Sequence, residues 1–119
     1  MKKNTVVHVI ESSLVDIAKS VDTSRLSDMV LVVHYVRGGA STGTMTVYGS
    51  LDPAGTVKYA LGIMPILTGT RDADGAIAYT TSTDVAYQIP GVHPYIFIDW
   101  NEGTDGATFS ADIIGEEDL

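Results

Sequence analysis

The chain has 119 residues, no cysteine and a formal net charge of −8 at pH 7, from 15 acidic and 7 basic side chains. This length predicts one domain that folds without disulfide bonds, and the acidic charge excludes nucleic acid as a partner because it repels phosphate backbones. No stretch approaches the ~20 apolar residues of a membrane helix. We therefore expect a soluble chain with no membrane partner, and no signal peptide, because His8 and Glu11 interrupt the apolar run that follows Lys2 and Lys3.

The first third of the chain predicts three strands. Residues 1–10 are predicted as an N-terminal strand or an extended arm, because they are rich in β-branched side chains. Residues 13–18 also predict a strand, although Leu14, Ile17 and Val21 have roughly helical spacing. Residues 29–36 are apolar except for His34, which predicts a central strand covered on both faces, with His34 as a core histidine.

The next strand follows a glycine-rich loop. Polar and apolar residues alternate from Thr44 onwards, which places Met45, Val47 and Leu51 on one face. We expect this strand to form a hairpin with residues 29–36. Residues 52–55, Asp-Pro-Ala-Gly, then have the composition of a type I turn.

The remaining sequence continues to alternate strands with turns. Strands are predicted around residues 57–61, 64–67, 76–80 and 85–89, with residues 71–75 as a turn. Two later strands have inward faces formed by Ile96, Ile98 and Trp100 and by Phe109, Ala111 and Ile113. Residues 116–119 predict a solvated acidic C-terminal end.

This pattern predicts an all-β fold. Eight or nine short strands with regular turn signals are typical of a single-domain β-sandwich or jelly roll of about eight antiparallel strands, here assigned to residues 11–115. Few lysines guard the strand edges, which favours self-association.

The glycine-rich loop does not predict a phosphate site. Gly38 and Gly43 have the spacing of the two glycines in a P-loop, but the next residues are Thr44 and Met45 instead of a lysine and a hydroxyl residue. The loop is better interpreted as a turn between two strands.

Catalytic and metal-binding patterns are also missing from the sequence. The histidines are few and scattered, and the Asp- and Gly-containing stretches at residues 72–75 and 99–106 lack the full calcium-loop pattern. Trp100 is interpreted as a core residue instead of a sugar-stacking platform. We therefore predict no enzyme activity, no cofactor and no metal.

The middle and end of the chain resemble small structural proteins of tailed bacteriophages. The resemblance covers residues 28–115: a very hydrophobic strand, a Gly/Thr loop, a Thr/Val strand ending in Gly49-Ser50-Leu51-Asp52, and later Tyr95-Ile96-Phe97-Ile98 before a glycine turn and a last strand. The chain departs from the pattern after Asp52, where relatives continue with a Gly- and Trp-containing segment. The resemblance implies a capsid decoration (cement) protein on the outer surface of the head, assembled in the host cytoplasm.

A protein of this kind is expected to be oligomeric, as a dimer or trimer, and to bind the major capsid protein. The positively charged start of the chain suggests an acidic docking surface, or else a frayed terminus, and tyrosines favour contact surfaces. The candidate interface residues are Lys2, Lys3, Val6, His8, Ile10, Tyr48 and Tyr59. The alternatives are another virion component, such as a tail, connector or head-fibre subunit, or a carbohydrate-binding module.

Overall fold

The computed structural model describes residues 2–13, 15–39, 42–66, 76–102 and 107–118, which form two antiparallel β sheets. The strands, in chain order, are β1 (Lys2–Ser13), β2 (Ile17–Asp22), β3 (Leu26–Val36), β4 (Gly43–Ser50), β5 (Lys58–Ala60), β6 (Met64–Pro65), β7 (Ala76–Tyr79), β8 (Thr83–Gln88), β9 (Tyr95–Glu102) and β10 (Thr108–Asp118).

The ten strands divide equally between the sheets. Sheet A has the order β1-β10-β3-β8-β6, and sheet B has the order β2-β9-β4-β5 with β7 also paired to β4. The predicted all-β, single-domain sandwich is therefore confirmed, with ten strands instead of about eight. Two of these strands are short, since β5 has three residues and β6 has two.

The inner faces of the two sheets form one hydrophobic core. Because side chains alternate between the faces of a strand, every second residue of the long strands points into the space between the sheets. The predicted inward residues of β9 and β10 are all buried: Ile96, Ile98, Trp100, Phe109, Ala111 and Ile113. The predictions for both strands are confirmed.

Trp100 lies at the centre of the aromatic part of this core. Its indole stacks on the ring of Phe109, with centroids 4.0 Å apart and planes 7° apart. Tyr35 and Tyr79 contact it from the sides, at 5.6 and 6.0 Å between centroids. Such aromatic pairs contribute about 0.5–1.5 kcal/mol each beyond the area they bury. Trp100 is therefore the core residue that its sequence context predicted.

The predicted hairpin between residues 29–36 and the following strand is wrong. β3 pairs with β10 and β8 in sheet A, whereas β4 pairs with β9, β5 and β7 in sheet B. The glycine-rich loop thus crosses from one sheet to the other. Both strands have an apolar inward face, and in a sandwich those faces meet across the core as well as they would side by side.

Two predictions about individual side chains are also wrong. His34 is exposed on the outer face of sheet A instead of lying in the core, because β3 buries only alternate residues. Leu51 is 60% exposed, because β4 ends at Ser50 and the chain turns there. A β-turn is present at the predicted residues 52–55, since the N–H of Gly55 donates to the carbonyl of Asp52 at 3.2 Å. The predicted turns at residues 71–75 and 103–106 lie outside the described residues.

The two ends of the chain lie side by side in sheet A. Lys2 pairs with Asp118, and the register continues without interruption to His8 and Asp112. Residues 116–118, predicted as a solvated end, form the last part of β10, and residues 2–10 form most of β1. None of the described segments forms a helix that is long and apolar enough to cross a membrane.

Candidate interaction surfaces

Strand β1 is the long open edge of sheet A. It has 12 residues and pairs on one side only, with β10. Register shifts fall between His8 and Ile10 and between Ile10 and Ser13, so the strand is regular from Lys2 to His8 and bulged beyond. Since bulges twist an edge away from further pairing, the regular half is the part of β1 that offers unpaired backbone groups to a partner.

The structure places four of the seven candidate interface residues on this edge. Lys2, Lys3, Val6 and His8 are exposed, with Val6 at 53%. Ile10 is only 1% exposed and belongs to the core, so its inclusion in a contact surface is corrected: the bulge after His8 turns this side chain inward. Lys2 contacts a carboxylate of its own sheet, with 3.5 Å between its Nζ and the Oε2 of Glu116.

His8 forms an ion pair across the β1–β10 ladder. Its Nδ1 lies 2.7 Å from Oδ1 of Asp112 and must be the donor, because a carboxylate only accepts. This hydrogen bond, followed by the charge of Asp112, raises the pKa of His8 above its usual value of 6.5, and Glu11 adds to the effect. The pair is solvent-exposed, so it contributes little to the stability of the fold.

A second surface lies on the outer face of sheet B. The ammonium group of Lys58 is 4.6 Å from the ring centroid of Tyr48 and 4.9 Å from that of Phe97. The two rings are themselves in edge contact, at 6.2 Å and 68°. We call Tyr48, Lys58 and Phe97 the Lys58 cluster; it presents one cation on two aromatic rings, an arrangement worth about 0.5–1 kcal/mol per contact at an exposed site.

The turn at residues 52–55 covers one side of this cluster. Gly55 has a φ of +70°, and a Cβ there would lie 2.9 Å from the ring of Phe97. The carboxylate of Asp52 accepts the backbone N–H groups of Val57 and Thr56 at 3.1 and 3.2 Å. These hydrogen bonds, that of Val57 first, hold the pKa of Asp52 below its usual value. The Asp52 side chain therefore holds this turn against the ring of Phe97.

Tyr59 lies apart from Tyr48, on the other face of the β4–β5 pair. It is opposite Gly49 in the register, and its ring lies where a side chain of that glycine would be. Its hydroxyl bonds to Nδ1 of His93 at 2.8 Å, while Nε2 of His93 bonds to the carbonyl of Pro90 at 2.6 Å. Because a carbonyl only accepts, Nε2 carries the hydrogen and Nδ1 accepts from Tyr59. The candidate tyrosines thus form two separate sites.

Tyr79 and Tyr87 have a structural role in the core. Tyr79 and Tyr87 are buried and share a hydroxyl–hydroxyl hydrogen bond of 2.6 Å. Burial, with Tyr87 as a second cause, raises the pKa of Tyr79 far above its usual value. These side chains are not available to a partner.

Sequence reasoning missed Lys58 and Phe97 as surface residues. A signal was present for Phe97, since the alternation that buries Ile96 and Ile98 turns Phe97 outwards. The position of Lys58 depends on the pairing of β5 with β4, which alternation does not encode.

The described residues contain no group of three or more His, Asp and Glu side chains that could hold a metal ion. The described residues also form a cavity of about 440 Å³, an open groove between the start of β3 and the segment after β8, lined by residues 27–30 and 88–92. Asp28 is its one carboxylate.

The solved structures that share this fold include two phage-related proteins. The SPBc2 prophage-derived protein YomS has a TM-score of 0.65 at 14% identity, and the match covers 97% of this chain and 96% of YomS. The PBSX exported protein XepA has a TM-score of 0.66 at 15% identity, and the match covers 98% of this chain but 38% of XepA, so the chain spans well under half of that protein. No protein-family model and no curated protein matches the sequence. At these identities the likeness shows a shared β-sandwich fold.

Proposed function

We propose that this chain is a non-enzymatic structural protein of a tailed-phage particle, and more specifically a decoration (cement) protein on the outer surface of the capsid. The observation that carries the proposal is the match of the whole chain, end to end, to a prophage-derived protein of the same size, with 96% of YomS covered. The sequence resemblance over residues 28–115 points to the same class of protein. The XepA match adds a second phage-related instance of the fold, as one part of a longer chain.

The open edge of β1 provides a physical means of binding. A partner strand added beside the regular half of β1 would form main-chain hydrogen bonds, which is a common mode of recognition between β proteins. The other edge of sheet A is much less suitable, since β6 has two residues and one of them is Pro65, which has no N–H to donate. A capsid partner is therefore expected at β1.

The charge distribution supports an acidic partner at this edge. Lys2 and Lys3 carry two of the seven basic charges of the chain at the start of β1. Both are exposed, and an acidic patch on the major capsid protein would be steered towards them. Several such contacts within one oligomer would hold the protein on the capsid much more tightly than any single contact, because the first contact raises the effective concentration of the others.

The alternatives differ in their partner. Another virion component, such as a tail, connector or head-fibre subunit, would use the same surfaces on a different assembly. A carbohydrate-binding module would need an exposed stacking ring. Trp100, the only tryptophan, is fully buried, which leaves Tyr59, at 39% exposure, as the most exposed aromatic ring for that role among the described residues.

Co-sedimentation with capsids tests the proposal. Purified chain is mixed with expanded capsids that lack it, with tails, and with a panel of insoluble glycans, and the bound fraction is measured against concentration. We expect saturable binding to capsids at a fixed number of copies. Binding to tails alone or to glycans alone would overturn the decoration role in favour of the corresponding alternative.

A matched pair of variants locates the contact. Lys3→Glu reverses an exposed charge on β1, and Lys19→Glu reverses an exposed charge on β2, the edge strand of sheet B. We expect Lys3→Glu to weaken capsid binding by about tenfold or more and Lys19→Glu to leave it near the wild-type value. Equal effects would contradict docking through β1.

A further inference from the structure

The outer face of sheet A carries an apolar belt that crosses all of its strands. Ladder partners on this face line up from β1 to β6, as Val6 with Ile114, Ile114 with Val30, Val30 with Gln88 and Gln88 with Met64. The next row links Asp112, Val32 and Ala86, and the N–H of Ile66 bonds to the carbonyl of Ala86 at 3.0 Å. We call this set the apolar belt: Val6, Val30, Val32, Met64, Ile66, Ala86 and Ile114.

The belt is unusual for the outer face of a two-layer sandwich. Outward positions of an antiparallel sheet that faces water are normally polar. Four outward residues of β4 and β9 follow that rule, namely Thr44, Thr46, Asp99 and Asn101, beside the Tyr48 and Phe97 rings of the Lys58 cluster. In β3, by contrast, Val30 and Val32 alternate with the buried Met29, Leu31 and Val33, so the strand is apolar on both faces. That is the pattern of a strand covered on both faces, and the single chain covers only one.

We propose that the belt is a dimer interface, and that its occupant is the same face of a second copy of this chain. An interface of sufficient size uses the whole outer face of sheet A, with the belt at its centre and polar rows around it. Five strands about 4.8 Å apart make a face about 24 Å wide, and lengths from about 20 Å at β8 to about 37 Å at β3 give this whole face roughly 500–900 Å². A stable interface needs about 800 Å² on each partner.

The charges also fit a second copy. Three carboxylates on this face already have a partner in the same sheet: Glu116 with Lys2 at 3.5 Å, Asp112 with His8 at 2.7 Å, and Asp84 with His34. Two copies of a molecule with net charge −8 repel each other in general, and on this face Lys2 neutralises part of that negative charge.

The symmetry is self-complementary. A two-fold axis that runs along the belt lays belt on belt, so apolar side chains meet apolar side chains. Two sheets packed in this way lie about 10 Å apart, as in the interior of a sandwich. The dimer requires no capsid, so the inference goes beyond the proposed function and is independent of it.

Sedimentation equilibrium of the purified full chain tests the interface. We expect the wild type to have twice the 12.6 kDa mass of one chain, with dissociation on dilution. Val6→Glu with Ile66→Glu places a carboxylate at each end of the belt, at residues that are 53% and 54% exposed, and is expected to give a monomer. Leu51→Glu with Val57→Glu is the matched control: it adds the same charge at residues that are 60% and 54% exposed outside the belt, and should remain a dimer.

A shape-preserving variant keeps the test decisive if the double variant does not fold, which circular dichroism would reveal. Val32→Thr buries a hydroxyl at the centre of the belt and is expected to weaken dimerisation by about tenfold or more. A wild type that is monomeric at all concentrations, a trimer, or a dimer that neither belt variant weakens would overturn the proposal.

Discussion

Replacing Gly43 by alanine should destabilise the protein far more than such a small change usually does. A Cβ at this position would lie 2.1 Å from Cη2 and 2.4 Å from Cζ2 of Trp100. Carbon atoms in contact are about 3.5–4.0 Å apart, so the indole or the first residue of β4 must move by more than 1 Å. Trp100 has no exposed surface and stacks on Phe109 at 4.0 Å, so it has no free space to enter.

The magnitude follows from two opposing effects. Overpacking a core costs about 1–3 kcal/mol, and a clash this close on a rigid ring belongs at the upper end. Replacing a strand glycine by alanine returns about 0.5–1 kcal/mol, because the unfolded chain loses freedom. The net loss is therefore about 2 kcal/mol, which for a domain of this size lowers Tm by between about 6 and 12 °C.

Gly49→Ala is the control for Gly43→Ala. Its Cβ would lie 2.3 Å from Cε2 of Tyr59, which is just as close, but this ring is 39% exposed at the edge of sheet B and can turn into solvent. The variant loses the Tyr59–His93 hydrogen bond, about 1 kcal/mol, and regains about the same from the glycine replacement. We expect a change in stability close to zero.

Urea unfolding, followed by the fluorescence of the single tryptophan, measures both variants. The wild type, Gly43→Ala and Gly49→Ala should share one slope against urea, with only the first variant shifted to a clearly lower midpoint. If both variants lose the same free energy of unfolding, or if Gly43→Ala loses none, then Gly43 is not needed to leave room for an immobile Trp100 indole.

Three further measurements address the electrostatics and the buried polar pair. The pKa of His8, measured by NMR, should lie above 6.5 and return towards that value in Asp112→Asn, and a pKa at or below 6.5 would contradict the ion pair. Because the folded-state pKa is raised, the pair stabilises the fold at low pH, and this gain is lost as the pH rises through the folded-state pKa. Asp52→Ala should lower Tm at neutral pH, and less so as pH falls through the depressed pKa of Asp52; a loss that does not change with pH would show that the carboxylate does not fix the turn. Tyr79→Phe and Tyr87→Phe, alone and together, should show a coupling of about 1 kcal/mol in a double-mutant cycle, and strict additivity would mean that their hydrogen bond contributes nothing.

The sequence predicted which side chains share a strand face better than it predicted which strands pair with each other. Alternation in β9 identified Ile96, Ile98 and Trp100 as inward, because the two-residue period of a strand directly encodes which side chains share a face. The same alternation contains no information about which strand lies alongside. β3 and β4 are neighbours in sequence with a short loop between them, yet they lie in different sheets.

The prediction for His34 was wrong because β3 carries apolar residues of the belt on its outer face. The apolar run in β3 indicated a strand covered on both faces, and residues Val30 and Val32 supply that signal from the outer face. His34 was therefore expected in a core that a single chain does not build. Exposure in β1 alternates from Asn4 to His8, which includes the candidate residues Val6 and His8. The prediction for Ile10 failed at a bulge that no residue pattern marks.

Quantitative mass spectrometry of purified particles can establish whether this chain lies on the phage head. Tailed-phage particles are isolated from the host that carries the gene, heads are separated from tails, and the copy number of this chain is measured relative to the major capsid protein. We expect to find the chain in the head fraction, in a fixed ratio to the major capsid protein. We also expect it to be accessible to protease on intact heads. Its absence from heads, or its presence only in tails, would contradict a role on the outer capsid surface.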